Sequence, residues 1–168
     1  MKESIKVALA VAAAIGAGSA VAATATTTFP VTAAVGANCI ATATGMAFGT
    51  YLPGNGNVNQ TSTVSVRCTS GTPYTVGLNA GTFGGATVTT RRMANGALPL
   101  SYSLFSDAGR TVNWGNTPGT DTLAGAGTGL AAASAAAFTV YGQISDSGAN
   151  LAATVGAYTD TITVNVVY

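Results

Sequence analysis

The amino-acid sequence predicts an all-β protein that folds as an antiparallel, immunoglobulin-like sandwich. The 168-residue chain is rich in Thr, Val, Gly, Asn and Ala and poor in Leu, Glu and Lys, a composition that favours strands over helices. Apolar and polar residues alternate in several short segments, as they do in strands with one buried face. Turn-forming residues recur about every 8 to 12 residues, as expected for two packed antiparallel sheets.

Five segments of the chain show this alternation clearly. Their apolar positions, in chain order, are Val64, Val66 and Cys68; Tyr74, Val76 and Leu78; Leu98, Leu100, Tyr102 and Leu104; Phe138, Val140 and Ile144; and Ile162, Val164, Val166 and Tyr168. We predict one strand for each segment, with these side chains facing the core. Residues 117–137 contain mostly small side chains, and we predict a long loop there, with a short helix as the alternative.

Residues 1–23 have the layout of a cleaved secretory signal peptide. Two lysines precede an apolar run at 7–15, and small residues lead to a cleavage site near Ala22 or Ala23. The alternative is a membrane-spanning helix, but that needs about 20 apolar residues, roughly twice the length of this run. The sequence therefore predicts an exported protein whose mature part has about 145 residues, the size of one domain.

The mature chain is predicted to have no net charge. Without the signal peptide it keeps four arginines and four aspartates, and four minus four is zero. Such a chain lacks the excess of basic residues that attracts nucleic acid or anionic lipid. We therefore expect no nucleic-acid partner.

The chain has two cysteines, Cys39 and Cys68. In an exported protein such a pair predicts a disulfide, and closing a loop of about 30 residues would stabilise the fold by roughly 3 to 4 kcal/mol. A metal site or a redox pair is the alternative, but histidine is absent and the thiols are not two residues apart. The disulfide would place the first strand of the domain beside the strand of Val64 and Val66.

No arrangement of catalytic residues is visible in the sequence. The absence of histidine excludes Ser-His-Asp and Cys-His nucleophiles and the usual zinc sites. Two carboxylates could form a glycosidase pair, but Asp107, Asp121 and Asp146 lie in turn or loop sequences where aspartate makes local hydrogen bonds. We predict that the protein is not an enzyme and that it uses no cofactor and no metal.

Two other features could contact a ligand. Arg91 and Arg92 could bind a carboxylate, whereas the alternative is a solvated loop tip. Trp114 could stack on a sugar ring, but a single tryptophan is more often a half-buried anchor. For both features we predict the structural alternative.

Residues 26–39, TTTFPVTAAVGANC, alternate like a strand directly after the predicted signal peptide. Apolar side chains occupy every second position from Phe29 to Ala37. The pattern alone allows two interpretations, a strand that pairs within its own domain or a strand that completes another chain. From the residues alone, pairing within the domain is favoured because it is the commoner arrangement.

Segments along nearly the whole predicted mature chain resemble the spore coat U family. Members of this family include subunits of archaic, Csu-type chaperone-usher pili. The matching segments, in family order, are FPVTAAVGANC, MAFGTY, VSVRCTSGTPYTVGLNAG, RRMANG, LPLSYSLFSDAGRT, WG, VYGQI and GAYTDTITVNVVY.

The resemblance implies an incomplete immunoglobulin-like β-sandwich that lacks its last strand and is completed by a donor strand. A periplasmic chaperone would fill the vacant groove first, and at an outer-membrane usher the N-terminal extension of another subunit would replace it. The chain would then consist of a signal peptide (1–23), a donor-strand extension (24–37) and a pilin-like sandwich (38–168). The donor side chains would be Phe29, Val31, Ala33 and Val35. Pro30 has no N–H to donate, so the register of the donor strand stays open.

The function implied by the resemblance is that of a structural subunit of an extracellular pilus or fibre. The subunit would polymerise with identical or related subunits by donor-strand complementation, after export through the periplasm, and support surface attachment and biofilm formation. The alternative is a secreted glycan-binding adhesin module. A tip adhesin of such a system usually carries an additional receptor domain, for which about 145 mature residues leave no room.

Overall fold

The computed structural model describes residues 21–168 of the chain. The predicted signal peptide lies outside these residues, apart from its last three positions. Residues 35–168 form one compact unit. Residues 21–34 have no regular secondary structure, and their side chains are exposed. Within the described range, no helix is long and apolar enough to cross a membrane.

The compact unit is built from strands, with two short 3-10 helices between them. The strands are β1 (Cys39–Ala43), β2 (Val58–Cys68), β3 (Pro73–Leu78), β4 (Arg92–Asn95), β5 (Leu98–Ser101), β6 (Ser103–Phe105), β7 (Leu123–Ala126), β8 (Ala136–Ile144) and β9 (Val164–Val167). The 3-10 helices are η1 (Ala132–Ser134) and η2 (Gly148–Ala152). The predicted all-β fold class is confirmed.

The strands form two antiparallel sheets and a hairpin. The first sheet has the order β1-β2-β8-β6, the second has the order β7-β3-β9, and β4 pairs with β5. The long strands β2 and β8 pair from Val58 opposite Ile144 to Val66 opposite Ala136. Because strands far apart in sequence are neighbours in both sheets, the arrangement is that of a sandwich and not of a simple meander.

One hydrophobic cluster receives side chains from both sheets. Its buried members are Val64, Val66, Cys68, Tyr74, Val76, Leu78, Leu100, Tyr102, Leu104, Trp114, Val140 and Ile144. Nearly all of these are positions that the period-two alternation assigns to the core. Burial of each large apolar side chain contributes about 1.5 to 3 kcal/mol, so this shared core holds the two sheets together.

The disulfide joins the first two strands, as predicted. Cys39 and Cys68 are bonded and lie directly opposite each other in the ladder of β1 and β2. Among the described residues there is no free cysteine. The predicted placement of the first strand beside Val64 and Val66 is therefore confirmed, since Ala43 pairs with Val64 and Ala41 with Val66.

The segment 98–105 was predicted as one strand but forms two. β5 pairs with β4, whereas β6 pairs with β8 in the first sheet, and the change of partner falls at Tyr102. The backbone N–H of Tyr102 donates to the carbonyl of Arg91 at 3.1 Å. The side chains of Leu100, Tyr102 and Leu104 are all buried, so the alternation continues through the break. Leu98, at the hairpin end, is exposed instead of buried.

The prediction of a loop for 117–137 is wrong in its centre, where β7 pairs with β3. The small residues of this segment allow close packing instead of preventing structure. A Cβ at Gly125 would lie 2.5 Å from the ring of Tyr74, and a Cβ at Gly127 would collide with the backbone of Cys68. Glycine is therefore needed where β7 and its continuation approach their neighbours.

Candidate functional site

A long groove in the sandwich is bordered by two segments that belong to neither sheet. The first border, residues 44–53, follows β1, and the second, residues 153–163, precedes β9. We call these segments the first wall and the second wall of the groove. No backbone hydrogen bond joins residues 45–51 to another described residue. In the second wall Thr159 pairs with Ala94, and the Thr163 carbonyl accepts from the Asn79 amide. Among the described residues, the groove side of this wall has no ladder partner.

The groove consists of two adjoining cavities of about 400 and 540 Å³. The first cavity has a floor of core side chains from both sheets, including Val64, Leu78 and Val140. The second lies over Leu100 and Ile144. The two cavities share lining residues, namely Met46, Phe48, Met93 and Tyr158. The two cavities are therefore neighbours, and together they line the core with a largely apolar surface.

Two features of the groove match the space that a β-strand would fill. Backbone N–H and C=O groups of its walls, notably those of residues 45–51, have no backbone partner among residues 21–168, and such groups are a template for pairing with another strand. Its floor consists of side chains that belong to the hydrophobic core, and the rim adds the exposed side chains of Leu52 and Val155. Open apolar surface of this kind marks an interaction site. The sandwich is thus incomplete at this position.

The first wall is attached to the end of β8 by a single carboxylate, that of Asp146. Its Oδ1 accepts hydrogen bonds from the Tyr51 hydroxyl at 2.7 Å and from the Gly54 amide at 2.9 Å, and its Oδ2 accepts one from the Gly56 amide at 2.7 Å. The hydrogen bond from Tyr51 and those from the two amides lower the pKa of Asp146 below its usual value. Burial and the contact with Asp146 raise the pKa of Tyr51 to about 12.

The second wall contains a matching carboxylate, Asp160. Its Oδ1 accepts hydrogen bonds from the amide and the hydroxyl of Thr82, both at 2.7 Å. Its Oδ2 accepts one from the Tyr102 hydroxyl at 2.6 Å. Burial opposes the charged form, but the hydrogen bonds from Tyr102 and Thr82 outweigh it and lower the pKa of Asp160. Burial and the bond to Asp160 raise the pKa of Tyr102.

The predicted donor side chains lie in a stretch without regular secondary structure. Phe29, Val31 and Val35 are 80%, 84% and 87% exposed, and Ala33 is exposed as well. Single exposed apolar side chains are ordinary, but here three large ones lie within seven residues of each other. Their assignment as a donor strand remains a prediction.

The other candidate residues turn out to be structural. The prediction of a solvated tip is wrong for Arg91, whose side chain is 0% exposed and donates to the carbonyls of Leu78, Asn79, Val88 and Trp114 at 2.7 to 2.8 Å. Burial lowers its pKa. Trp114 is an anchor, but it is fully buried, and its Nε1 donates to the Val76 carbonyl at 2.9 Å. Neither side chain can reach a sugar or a carboxylate in solvent.

Sequence reasoning missed the residues that build the first wall. Met46 and Phe48 alternate with small residues, a short period-two pattern that could have indicated an extended segment. Gly142 of β8 makes room for them, because a Cβ there would collide with the Met46 sulfur and lie 2.9 Å from the Phe48 ring. No local pattern indicates the contacts of Asp146 and Asp160, since their partners are distant in sequence.

The fold and the groove together define an incomplete, immunoglobulin-like β-sandwich. The chain belongs to the Spore Coat Protein U domain family, which matches residues 25–165. The resemblance found in the sequence is thereby confirmed. A comparison with curated proteins finds no match.

Among solved structures, the chain is similar to one chain of a chaperone–subunit complex. The crystal structure is that of the CsuC–CsuE chaperone–tip adhesion subunit pre-assembly complex from archaic chaperone-usher Csu pili of Acinetobacter baumannii. The TM-score is 0.55 at 23% identity, which shows a shared fold. The match covers 79% of this chain and 40% of that chain, so this chain corresponds to less than half of the solved chain.

Proposed function

We propose that the protein is a structural subunit of an extracellular chaperone-usher pilus and that it polymerises by donor-strand complementation. The observation that carries the proposal is the groove, in which an apolar floor from the core lies between two walls with unpaired backbone. An added strand would satisfy both walls with main-chain hydrogen bonds and would fill the floor with alternate side chains. Membership of the Spore Coat Protein U domain family and the fold shared with a Csu pre-assembly complex support it.

The donor in this proposal is the extension 24–37, which follows a signal peptide (1–23) and precedes the sandwich (38–168). Phe29 and Val35 are six residues apart, which in a strand corresponds to about 20 Å, enough to supply side chains to both cavities. Burial of Phe29, Val31 and Val35 would contribute about 5 to 8 kcal/mol before main-chain bonds are counted. Pro30 lies near the beginning of the paired stretch, where a missing N–H costs least.

The exposed groove also indicates which proteins the subunit would bind. A free subunit exposes part of its core and two strand edges, both of which promote aggregation in water. A periplasmic chaperone would cover the groove after export, an outer-membrane usher would be the site of exchange, and identical or related subunits would be the final partners. The protein would act in the cell-surface fibre as a structural element without enzymatic activity or cofactor, and it would support attachment and biofilm formation.

The glycan-binding alternative is not favoured. Its two candidate contacts, Arg91 and Trp114, are buried and engaged with backbone carbonyls. The proposal is tested with residues 38–168, which lie within the compact unit and lack the donor extension, refolded at low concentration with and without an excess of a peptide of residues 24–37. The peptide should raise the melting temperature and suppress aggregation, whereas a peptide with Val31→Arg should not. If residues 38–168 form a stable monomer without any peptide and are unaffected by it, the proposal is refuted.

A further inference from the structure

The groove has walls that lie outside both sheets, without a strand between them. Segments with few backbone hydrogen bonds and exposed edges are normally the places where a fold opens locally. Residues 45–51 make no backbone hydrogen bond to another described residue. In the first wall the contacts that hold residues 45–51 therefore come from side chains, whereas the second wall also has backbone hydrogen bonds between Thr159 and Ala94 and between Asn79 and Thr163. A hydrogen bond between a carboxylate and a tyrosine hydroxyl occurs at both walls.

The first wall ends in a loop shaped around the carboxylate of Asp146. Gly54 and Gly56 have φ angles of +87° and +96°, which L side chains rarely adopt, and their amides donate to the carboxylate. The backbone amide of Asp146 in turn donates to Asn57 Oδ1 at 2.8 Å. The Tyr51 hydroxyl completes the set while its ring lines the groove.

In the second wall the roles are reversed: the carboxylate belongs to the wall, and its hydrogen-bond donors belong to the body of the sandwich. Asp160 reaches Thr82, which follows β3, and Tyr102, which lies between β5 and β6. Gly81 is required for this approach, since its φ is +85° and a Cβ there would collide with the carboxylate of Asp160. The ring of Tyr102 also lines the groove. At each wall one carboxylate and one groove-lining tyrosine thus add a side-chain link to the body of the sandwich, beside the hydrogen bonds of Thr44 with Thr63 in the first wall and of Thr159 with Ala94 in the second.

We propose that Asp146 and Asp160 are positioning residues of the groove, each of which holds one wall in place before a strand enters. This inference rests on the proposed function. With the walls already in place, an incoming strand meets two prepared edges and does not have to order them, so association is fast. Once the strand is bound, its own backbone bonds hold the walls, and the carboxylates matter less.

Asp107 provides a matched control. Its carboxylate accepts hydrogen bonds from the amide and hydroxyl of Thr111 and from the Val112 amide at 2.8 to 3.2 Å, so it is as well satisfied as the other two. Its contacts stay within one turn, and neither Asp107 nor its partners line the groove. Loss of this carboxylate should leave strand binding unchanged.

The experiment measures binding of a fluorescent peptide of residues 24–37 in stopped flow to refolded residues 38–168, which carry no donor extension of their own and lie within the compact unit. The variants are Asp146→Asn, Asp160→Asn and Asp107→Asn. An asparagine at 146 presents an N–H₂ group to the Gly56 amide, so one charge-assisted hydrogen bond is lost and the others weaken. We expect association to slow about tenfold for Asp146→Asn and Asp160→Asn. Dissociation should change less than about twofold, since the bound strand holds the walls.

The different effects on the association and dissociation rate constants distinguish a positioning role from a general destabilisation of the fold. In the free chain, amide hydrogen exchange should accelerate in the two walls and stay unchanged in β2 and β8. If the asparagine variants do not fold, Tyr51→Phe and Tyr102→Phe remove only the hydroxyl contacts and should slow association about threefold. Association rates equal to that of the wild-type chain in all folded variants would overturn the inference. Absence of peptide binding to the wild-type chain would instead overturn the proposed function.

Discussion

The substitution Val31→Arg separates the donor role of the N-terminal extension from the folding of the subunit that carries it. Val31 is 84% exposed, so the change should leave the subunit's own free energy of unfolding within about 0.5 kcal/mol, as for other surface sites. In a neighbour's groove the change removes about 1.5 to 3 kcal/mol of apolar burial. It also brings an unpaired charge to an apolar floor, at a further cost of a few kcal/mol.

A total loss of roughly 5 kcal/mol corresponds to a decrease of more than a thousandfold in the equilibrium constant for donor binding. Cells that produce only Val31→Arg should therefore show no fibres in electron micrographs. Mixtures with wild-type subunit should give shorter fibres as the share of the variant rises, because the variant accepts a donor but cannot act as one. The variant should still bind its chaperone.

The neighbouring Thr32→Arg is the control for this experiment. Thr32 lies on the opposite face of the alternation, so a charge there would point away from the groove floor and fibres should form normally. Normal fibres from Val31→Arg alone would refute the donor role. Failure of Val31→Arg to fold even with a donor peptide supplied would place Val31 in the core of its own domain.

Three further predictions concern the stability of the sandwich. Cys39→Ser should lower the free energy of unfolding by about 2 to 5 kcal/mol, measured by chemical denaturation beside the oxidised parent; equal midpoints would contradict a stabilising disulfide. Arg91→Ala should cost about 3 to 5 kcal/mol, because it creates a cavity and leaves buried carbonyls without donors, and a change below about 1 kcal/mol would show that the site relaxes. The folded state lowers the pKa of Asp160, so its contribution is present above the unfolded pKa near about 3.9 and is lost as the pH falls through the folded value. The melting temperature of Asp160→Asn should accordingly change less between about pH 5 and pH 2 than that of the parent. Parallel curves of melting temperature against pH would show that this carboxylate does not contribute to the pH dependence.

Much of the fold is predictable from local alternation. In a strand with one buried face the side-chain period of two corresponds directly to burial, which is why Val64, Val66 and Val76 identify β2 and β3 as core strands. The disulfide adds one long-range contact and with it the pairing of β1 with β2. Alternation does not reveal which strands exchange sheets, so the division of 98–105 at Tyr102 went unpredicted. It also fails for β7, whose small residues are explained only by the neighbours that they approach.

The sequence by itself determined the fold class, the family and the disulfide, because these depend on composition, short periodic patterns and a single pair of cysteines. Only the tertiary structure showed where the groove lies and which residues hold it. Tyr51 and Asp146 are 95 residues apart, and Tyr102 and Asp160 are 58 apart. Such contacts leave no local pattern, since each depends on where two distant segments meet after folding. The burial of Arg91 has the same cause, because the four carbonyls that accept its hydrogen bonds converge only in the folded chain.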